Sequence, residues 1–187
     1  ERPNLNWEHF WLNEGHTRYL EAKMLELLHG YDYCSMFTVN GVSELLDTVK
    51  TMNSEGTYEL TCLVTDLKEI DTDNAFSIVP YEKGAAFLRY LEEMFGKETM
   101  LEFLRHLVET YKFKSFNSYQ YRQRLEEFLM RNGKKSDAVD WNAWFHQTGM
   151  YPTFKDPYYL KGLSCFDVID KLSQCHADDF QEHSLQS

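Results

Sequence analysis

The sequence predicts a mainly α-helical protein. Apolar residues recur at intervals of three and four over most of the 187 residues, which is the period of an amphipathic helix. Glycines follow several of these segments, as they do at helix ends. With 43% hydrophobic and 26% charged residues, the composition suits one globular domain, or one domain and part of a second.

The first predicted helix runs from Trp7 to His29. Within it, Leu20, Met24 and Leu27 follow the helical spacing, and Leu28 extends the same face. Gly30 comes directly after, at the position where a glycine commonly ends a helix. The sequence therefore predicts one long helix at the start of the chain.

The next two segments differ in character. Apolar spacing predicts a shorter helix over residues 42–52, opened by the Asn40-Gly41 turn signal and closed near residues 53–56. Residues 57–74 lack that spacing and end in an acidic run. They predict an extended loop that holds at most one short strand, and loops of this length are usually functional.

Helical spacing then returns for the rest of the body. Two helices, from Tyr81 to Phe95 and from Lys97 to Tyr111, are separated by Gly96 and form a predicted hairpin. Two shorter helices follow over residues 118–130 and 138–145. This completes an all-helical body.

Glycine and proline mark the end of the body at Gly149, Pro152 and Pro157. We therefore divide the chain into a helical body, residues 1–152, and a linker that leads into the beginning of a second helical unit, residues 153–187.

Charge, hydropathy and cysteine usage exclude some classes of partner. The 19 Lys and Arg residues stand against 30 Asp and Glu, for a net charge of −11 without any basic cluster, so we expect no nucleic-acid partner. No stretch approaches the roughly 20 apolar residues of a membrane-spanning helix, so we expect no membrane span. The four cysteines form no Cys-x-x-Cys pair, which favours free thiols and a cytoplasmic location.

Two glutamates in the first helix are the first candidates for chemistry. Glu14 and Glu21 are seven residues apart, which places them about 10.5 Å apart on one helix face. They cannot bind one ion together, but one can bind a metal while the other orients a neighbouring ligand. The alternative is that both are solvated acids. Gly15, which costs stability inside a helix, and the aromatic residues before Glu14 favour a function.

The histidines cannot complete a metal site on a local helix. No two of the seven histidines are three or four residues apart, and the sequence contains no His-Glu-x-x-His motif. A catalytic zinc ion normally has three protein ligands and an open position. Nothing near Glu14 in the sequence supplies such a set.

Four motifs together resemble a known enzyme family. They are Trp-Glu-His-Phe-Trp-Leu-Asn-Glu-Gly at residues 7–15, the segment 71–84 that contains Val-Pro-Tyr-Glu-Lys-Gly, Asp-Trp-Asn-Ala-Trp at 140–144, and Gly-Met-Tyr-Pro at 149–152. In order and spacing the chain resembles the gluzincin zinc aminopeptidases, and most closely the leukotriene A4 hydrolase family, over about the first 155 residues. The fold this implies is the helical half of a thermolysin-like catalytic domain.

The resemblance implies a role for each matching residue. Glu14 of the Asn-Glu-Gly motif would be the third zinc ligand, and Glu21 would lie behind a zinc-binding His. Tyr81 would donate a hydrogen bond to the oxyanion of the tetrahedral intermediate. Asp73 would direct water in the lipid epoxide reaction and help to bind the peptide N-terminus.

Parts of the family pattern are not found in the sequence. The His-Glu-x-x-His helix, with two zinc-binding His and the general base, would lie just upstream of Glu1, together with the motif that holds the substrate amine. The basic residues that hold the substrate carboxylate would come from a later C-terminal domain. Phe76 stands where leukotriene A4 hydrolases have a Tyr in the lipid pocket, which weakens the expectation of epoxide hydrolysis more than that of peptide cleavage. The apolar residues expected to line a substrate pocket are Trp7, Phe10, Leu63, Leu67 and Phe76.

These implications lead to one expected function and two alternatives. We expect part of a zinc-dependent aminopeptidase that removes the N-terminal residue of short peptides, acting with the remainder of its own catalytic and C-terminal domains. One alternative is a lipid epoxide hydrolase that acts on a fatty-acid epoxide. The other is a non-catalytic truncated form or pseudoenzyme that serves as a protein-interaction module.

Overall fold

The computed structural model describes residues 7–68 and 75–167, and these residues form helices joined by loops, with no β-strand among them. A 3₁₀ turn at Trp7–His9 precedes the first helix, and a second one lies at Tyr58–Thr61. The principal helices are α1 (Trp11–His29), α2 (Tyr31–Ser54), α3 (Val79–Phe95), α4 (Lys97–Tyr111), α5 (Ser118–Arg131) and α6 (Trp141–His146). Residues 157–167 are also helical. The mainly α-helical prediction is therefore confirmed for this part of the chain.

The α1–α3 pair forms the centre of the fold. Helix α3 packs more extensively on α1 than any other two helices pack on each other, and most of its residues are buried. Trp11 of α1 meets Phe87 of α3 edge to face, with ring centroids 5.6 Å apart, and α6 adds Trp144 and Phe145 to the same aromatic core. Burying a large aromatic side chain contributes about 2–3 kcal/mol. This aromatic core fixes α1 against α3.

Glycines end helices where the sequence predicts them. Gly30 follows α1 with φ of 88°, and Gly96 separates α3 from α4 with φ of 94°. Residues with a side chain rarely adopt these backbone angles, so glycine is required at both positions. The long first helix is confirmed, although it begins at Trp11 and not at Trp7, and the break between α3 and α4 at Gly96 is confirmed as well.

The prediction of a short second helix opened by Asn40-Gly41 is wrong. Helix α2 begins directly after Gly30 and continues through both residues for 24 residues in all. Gly41 does not make a turn. It lies against Glu82 of α3, where a Cβ atom would overlap the carboxylate. The glycine therefore permits close packing of two helices. An Asn-Gly pair looks the same in the sequence whether it forms a turn or packs inside a helix.

Local hydrogen bonds set the start of the later helices. Asn117 and Gln120 form a reciprocal capping box before α5. The Asp140 side chain accepts a hydrogen bond from the Ala143 amide at 2.9 Å, so α6 begins at Trp141, three residues later than predicted. In the 57–74 loop, the described residues form the Tyr58–Thr61 turn in place of a strand, and residues 69–74 lie outside the described residues.

The segment after α6 is attached closely to the helical body. Asp156 is buried and accepts a hydrogen bond from Arg89 Nε at 2.7 Å. The Tyr158 hydroxyl donates to Glu26 at 2.8 Å, and Gly162 lies against the α2 backbone at Ser35. The boundary after residue 152 stays a prediction. Within the described residues, the start of the following segment packs on α1, α2 and α3.

None of the helices in residues 7–68 and 75–167 is long and apolar enough to cross a membrane. The cysteines in these residues, Cys34, Cys62 and Cys165, are free thiols.

Candidate active site

Two glycines let α1 and α3 approach backbone to backbone. A Cβ atom built on Gly15 would lie only 2.8 Å from the Cα of Gly84, and one built on Gly84 would lie 2.8 Å from the Cα of Gly15. No side chain fits between the helices at this point. Gly15 belongs to the Asn-Glu-Gly motif and Gly84 to the Tyr-Glu-Lys-Gly motif. The contact therefore brings the two motifs together.

Glu14 and Tyr81 meet beside this contact. The Tyr81 phenol lies close to the Glu14 carboxylate, within reach of its charge. Burial raises the pKa of the Tyr81 phenol, and the nearby negative charge of Glu14 raises the pKa further. A raised pKa keeps the phenol protonated at neutral pH, so Tyr81 is held as a hydrogen-bond donor.

Glu21 lies about two helical turns after Glu14 on α1 and is exposed. Its carboxylate accepts a hydrogen bond from Arg18 Nη1 at 3.0 Å. The same guanidinium donates through Nε to Glu82, which is buried between the helices. Burial raises the pKa of Glu82, and Arg18 opposes that effect. The sequence analysis missed Arg18 and Glu82. The three-residue spacing of Arg18 and Glu21 was visible, but no local signal connects Arg18 with a partner 64 residues away.

An apolar cleft adjoins the Glu14–Tyr81 pair. The five predicted pocket residues all line it, together with six others, and the full set is Trp7, Phe10, Leu60, Cys62, Leu63, Thr65, Leu67, Ala75, Phe76, Ser77 and Pro80. The cleft is a shallow depression: the empty space beside these residues is about 420 Å³ only when the open solvent at its mouth is included. The backbone amide of Leu67 donates to the Glu8 side chain at 3.3 Å, which joins the 3₁₀ turn at the chain start to the opposite wall.

Aromatic rings hold Tyr81 at the edge of this cleft. Phe10 and Phe76 each meet the Tyr81 ring edge to face, with centroids 6.1 Å and 6.2 Å away. Trp7 packs on Phe10 at 4.7 Å. Such pairs contribute about 0.5–1.5 kcal/mol each beyond their buried area. Phe76 is 65% exposed, so the edge of the cleft that it forms faces solvent.

A buried lysine fixes the far wall of the cleft. Lys83 is fully buried, and its ammonium donates to the backbone carbonyls of Thr61, Gln147 and Gly149 at 3.0, 2.7 and 2.9 Å. Burial lowers the pKa of Lys83 to about 8. Three acceptors match the three donors of an ammonium group. Lys83 therefore joins α3 to the two loops behind the cleft, a role that the sequence analysis missed because the partners are backbone atoms.

Histidines near α1 serve packing. His9 Nδ1 lies 2.9 Å from the Ser118 hydroxyl, which also accepts a hydrogen bond from the Trp11 indole. His16 stacks on Trp11, and burial lowers its pKa to about 4. Both rings are therefore mainly uncharged at neutral pH; His16 packs on the aromatic core, and His9 lies half-buried at its edge.

The described residues do not form a complete metal site. Among residues 7–68 and 75–167, no three His, Cys, Asp or Glu side chains lie close enough together to hold a metal ion. Glu14 offers one carboxylate beside the cleft, and a carboxylate is a suitable zinc ligand. Asp73, the other acid predicted for the site, lies outside the described residues.

The helical body thus holds a carboxylate and a phenol near each other beside an apolar cleft, an arrangement that a hydrolase catalytic domain can use. The chain belongs to peptidase family M1, since the sequence model of the Peptidase family M1 domain matches residues 4–144. The family predicted from the sequence motifs is confirmed.

Relatives from fungi agree with this assignment. The chain is 43% identical over 152 residues to leucine aminopeptidase 2 of Sclerotinia sclerotiorum, covering 80% of this chain and 25% of the relative. It is 43% identical over 150 residues to a leukotriene A-4 hydrolase homolog of Botryotinia fuckeliana, covering 79% of this chain and 23% of the relative.

A solved structure is similar as well. Yeast leukotriene A4 hydrolase in complex with bestatin superposes with a TM-score of 0.74 at 36% identity, over 80% of this chain and 24% of the other. The chain thus spans about a quarter of the length of the proteins it matches.

Proposed function

We propose that the chain is the helical part of a zinc-dependent aminopeptidase that hydrolyses the N-terminal peptide bond of short peptides. The match of the chain to the peptidase family M1 domain carries this proposal, and the closeness of Glu14 to Tyr81 beside the apolar cleft supports it. In the complete protein, we place residues 1–152 in the catalytic domain and residues 153–187 in the linker and the beginning of a C-terminal helical domain.

The residues of this chain divide the work of the reaction. Glu14 would supply one zinc ligand, and two His from the preceding part of the domain would supply the others. Zinc, when bound, lowers the pKa of a water molecule and polarises the peptide carbonyl. Tyr81 keeps its proton at neutral pH and donates a hydrogen bond where negative charge develops on that carbonyl. Glu21 is proposed to orient a zinc-binding His. Asp73 is proposed to hold the substrate amine.

The cleft sets the class of substrate. Trp7, Phe10, Leu63 and Leu67 offer an apolar surface beside Tyr81, which fits the side chain of an N-terminal leucine or similar residue. Relatives described as leucine aminopeptidase 2 support this preference.

The test uses the complete protein and leucine p-nitroanilide. We expect one zinc per molecule by elemental analysis, and Glu14→Gln to lose both zinc and activity. Glu98→Gln, an exposed glutamate in the first turn of α4, is the matched control and should retain both. A Glu14→Gln protein with full zinc content and activity would show that Glu14 is not a ligand.

Lipid epoxide hydrolysis is the second candidate function, favoured by the apolar cleft and by the leukotriene A-4 hydrolase relative. Phe76 keeps the ring of the family Tyr but lacks its hydroxyl, whereas peptide cleavage uses nothing at residue 76. We therefore expect peptidase activity to dominate. Both reactions should be assayed on the unmodified protein and on Phe76→Tyr. Efficient epoxide hydrolysis without any gain in Phe76→Tyr would mean that residue 76 does not decide between the substrates.

A non-catalytic interaction module is the remaining alternative. Leu20, Met24, Leu27 and Leu28 form an exposed apolar stripe on the outer face of α1. We propose that the remainder of the catalytic domain covers this stripe. A complete protein that contains no zinc and cleaves no peptide would favour the module instead.

A further inference from the structure

One guanidinium group connects the two helices that carry the candidate active site. Arg18 on α1 donates through Nη1 to Glu21 on the same helix, at 3.0 Å, and through Nε to Glu82 on α3. The two carboxylates therefore share a single, planar set of donors. Arginine can hold both at fixed angles, whereas a lysine presents a single charged point.

The surroundings of Arg18 leave it little freedom. Its guanidinium carbon lies 3.9 Å from the centre of the Phe37 ring on α2, a cation–π contact. The Glu82 side chain is only 4% exposed, and Gly41 leaves the space that its carboxylate occupies. Three helices thus enclose one ion pair.

The position of this ion pair relates it to the site. Arg18 lies one helical turn after Glu14, and Glu82 directly follows Tyr81. The contact of Gly15 with Gly84 limits how closely α1 and α3 approach, but two glycines present no side chains that oppose sliding or rotation. A directional ion pair one turn away does oppose such movement.

We propose that Arg18 is a positioning residue, which holds the Glu21 and Glu82 carboxylates together and so fixes Tyr81 of α3 against Glu14 of α1. The expected effect of Arg18 on the reaction rate rests on the proposed aminopeptidase function. Its expected effect on the position of the Tyr81 side chain does not. Arg18 itself touches neither substrate nor metal. Its effect is exerted through the spacing of the two helices.

The test compares three variants of the complete protein with a matched control. Arg18→Met removes the guanidinium and keeps an unbranched side chain, and Arg18→Lys can reach only one carboxylate. The double variant Arg18→Met with Glu82→Gln leaves no unpaired charge buried between the helices. Arg122→Met is the control, because Arg122 pairs with Glu126 on the exposed face of α5.

Two quantities are measured on each protein. One is kcat and KM with leucine p-nitroanilide. The other is the ¹⁹F NMR signal of Tyr81 in protein labelled with 3-fluorotyrosine, assigned by its loss in Tyr81→Phe. We expect Arg18→Met to move this signal and to lower kcat about tenfold or more with KM within about twofold, since small misplacements of catalytic groups are costly. Arg18→Lys should be intermediate and Arg122→Met unchanged.

The double variant separates positioning from simple stability. We expect it to regain thermal stability while kcat stays low. Recovery of kcat together with stability would overturn the proposal, as would a Tyr81 signal that does not move in Arg18→Met. If the unmodified protein cleaves no peptide but the Tyr81 signal still moves, the proposed function is wrong and the positioning of Tyr81 by Arg18 stands.

Discussion

Gly15 and Gly84 face each other across the α1–α3 interface without a side chain between them. Each follows its functional neighbour closely in sequence, Gly15 after Glu14 and Gly84 three residues after Tyr81. The geometry of the Glu14–Tyr81 pair therefore depends on the absence of two Cβ atoms.

Gly15→Ala should destabilise the protein, although alanine usually stabilises a helix relative to glycine. Alanine favours a helix over glycine by about 1 kcal/mol. At Gly15, however, its Cβ would meet the Gly84 backbone, so we expect Gly15→Ala to lower the free energy of unfolding by about 2 kcal/mol. Urea denaturation measures this. Asn13→Ala, on the exposed face of the same helix, should change the value by less than about 0.5 kcal/mol. A more stable Gly15→Ala protein would contradict the close contact.

Tyr81→Phe tests the hydrogen-bond donor. If the phenol stabilises charge that exists only in the transition state, its removal should lower kcat about 100-fold and leave KM nearly unchanged. Steady-state kinetics on the complete protein measure both constants. Tyr33→Phe, which removes an exposed phenol hydroxyl from α2, is the control and should leave both constants unchanged. A kcat within a few-fold of the unmodified value would mean that Tyr81 only packs.

Lys83→Met should be among the most destabilising substitutions in the chain. It leaves three backbone carbonyls without their buried donor, and each such loss costs about 1 kcal/mol or more. We expect a total loss of about 3 kcal/mol in the free energy of unfolding, measured by urea denaturation. Lys50→Met provides the comparison, since Lys50 forms an exposed pair with Asp47. Equal stability of the two variants would contradict the assigned role.

His9 should make stability depend on pH. Burial lowers the pKa of His9 in the folded protein, although the charge of Glu8 opposes this. The unfolded chain therefore binds a proton more readily, so His9 contributes stability that is fully present above its ordinary pKa of about 6.5 and is lost as the pH falls through the lower folded pKa.

The measurement is the free energy of unfolding between pH 7.5 and pH 5. His9→Gln can still bond with Ser118 but does not titrate, so its stability should fall less steeply over this range than that of the unmodified protein. His29→Gln, at an exposed position, should retain the original slope. Identical slopes for His9→Gln and the unmodified protein would show that His9 contributes nothing.

Features set by neighbouring residues could be predicted from the sequence. The spacing of apolar side chains located α1, α3, α4 and α5, and Gly30 and Gly96 ended helices as predicted. The motif around Glu14 and the motif around Tyr81 identified the family. Helix periodicity, helix caps and short motifs each depend on residues that are close in sequence, so local patterns predict them.

The tertiary structure decided what depends on distant pairs. Gly41, inside α2, contacts Glu82 of α3, and the ion pair of Arg18 with Glu82 joins residues 64 positions apart. The lysine at position 83 bonds with backbone carbonyls, which every residue possesses and no sequence pattern distinguishes. The cleft likewise combines segments near residues 7, 63 and 76. The sequence by itself determined the helices and the family, whereas the arrangement of the site required helix packing, because side-chain contacts between remote segments exist only once the chain has folded.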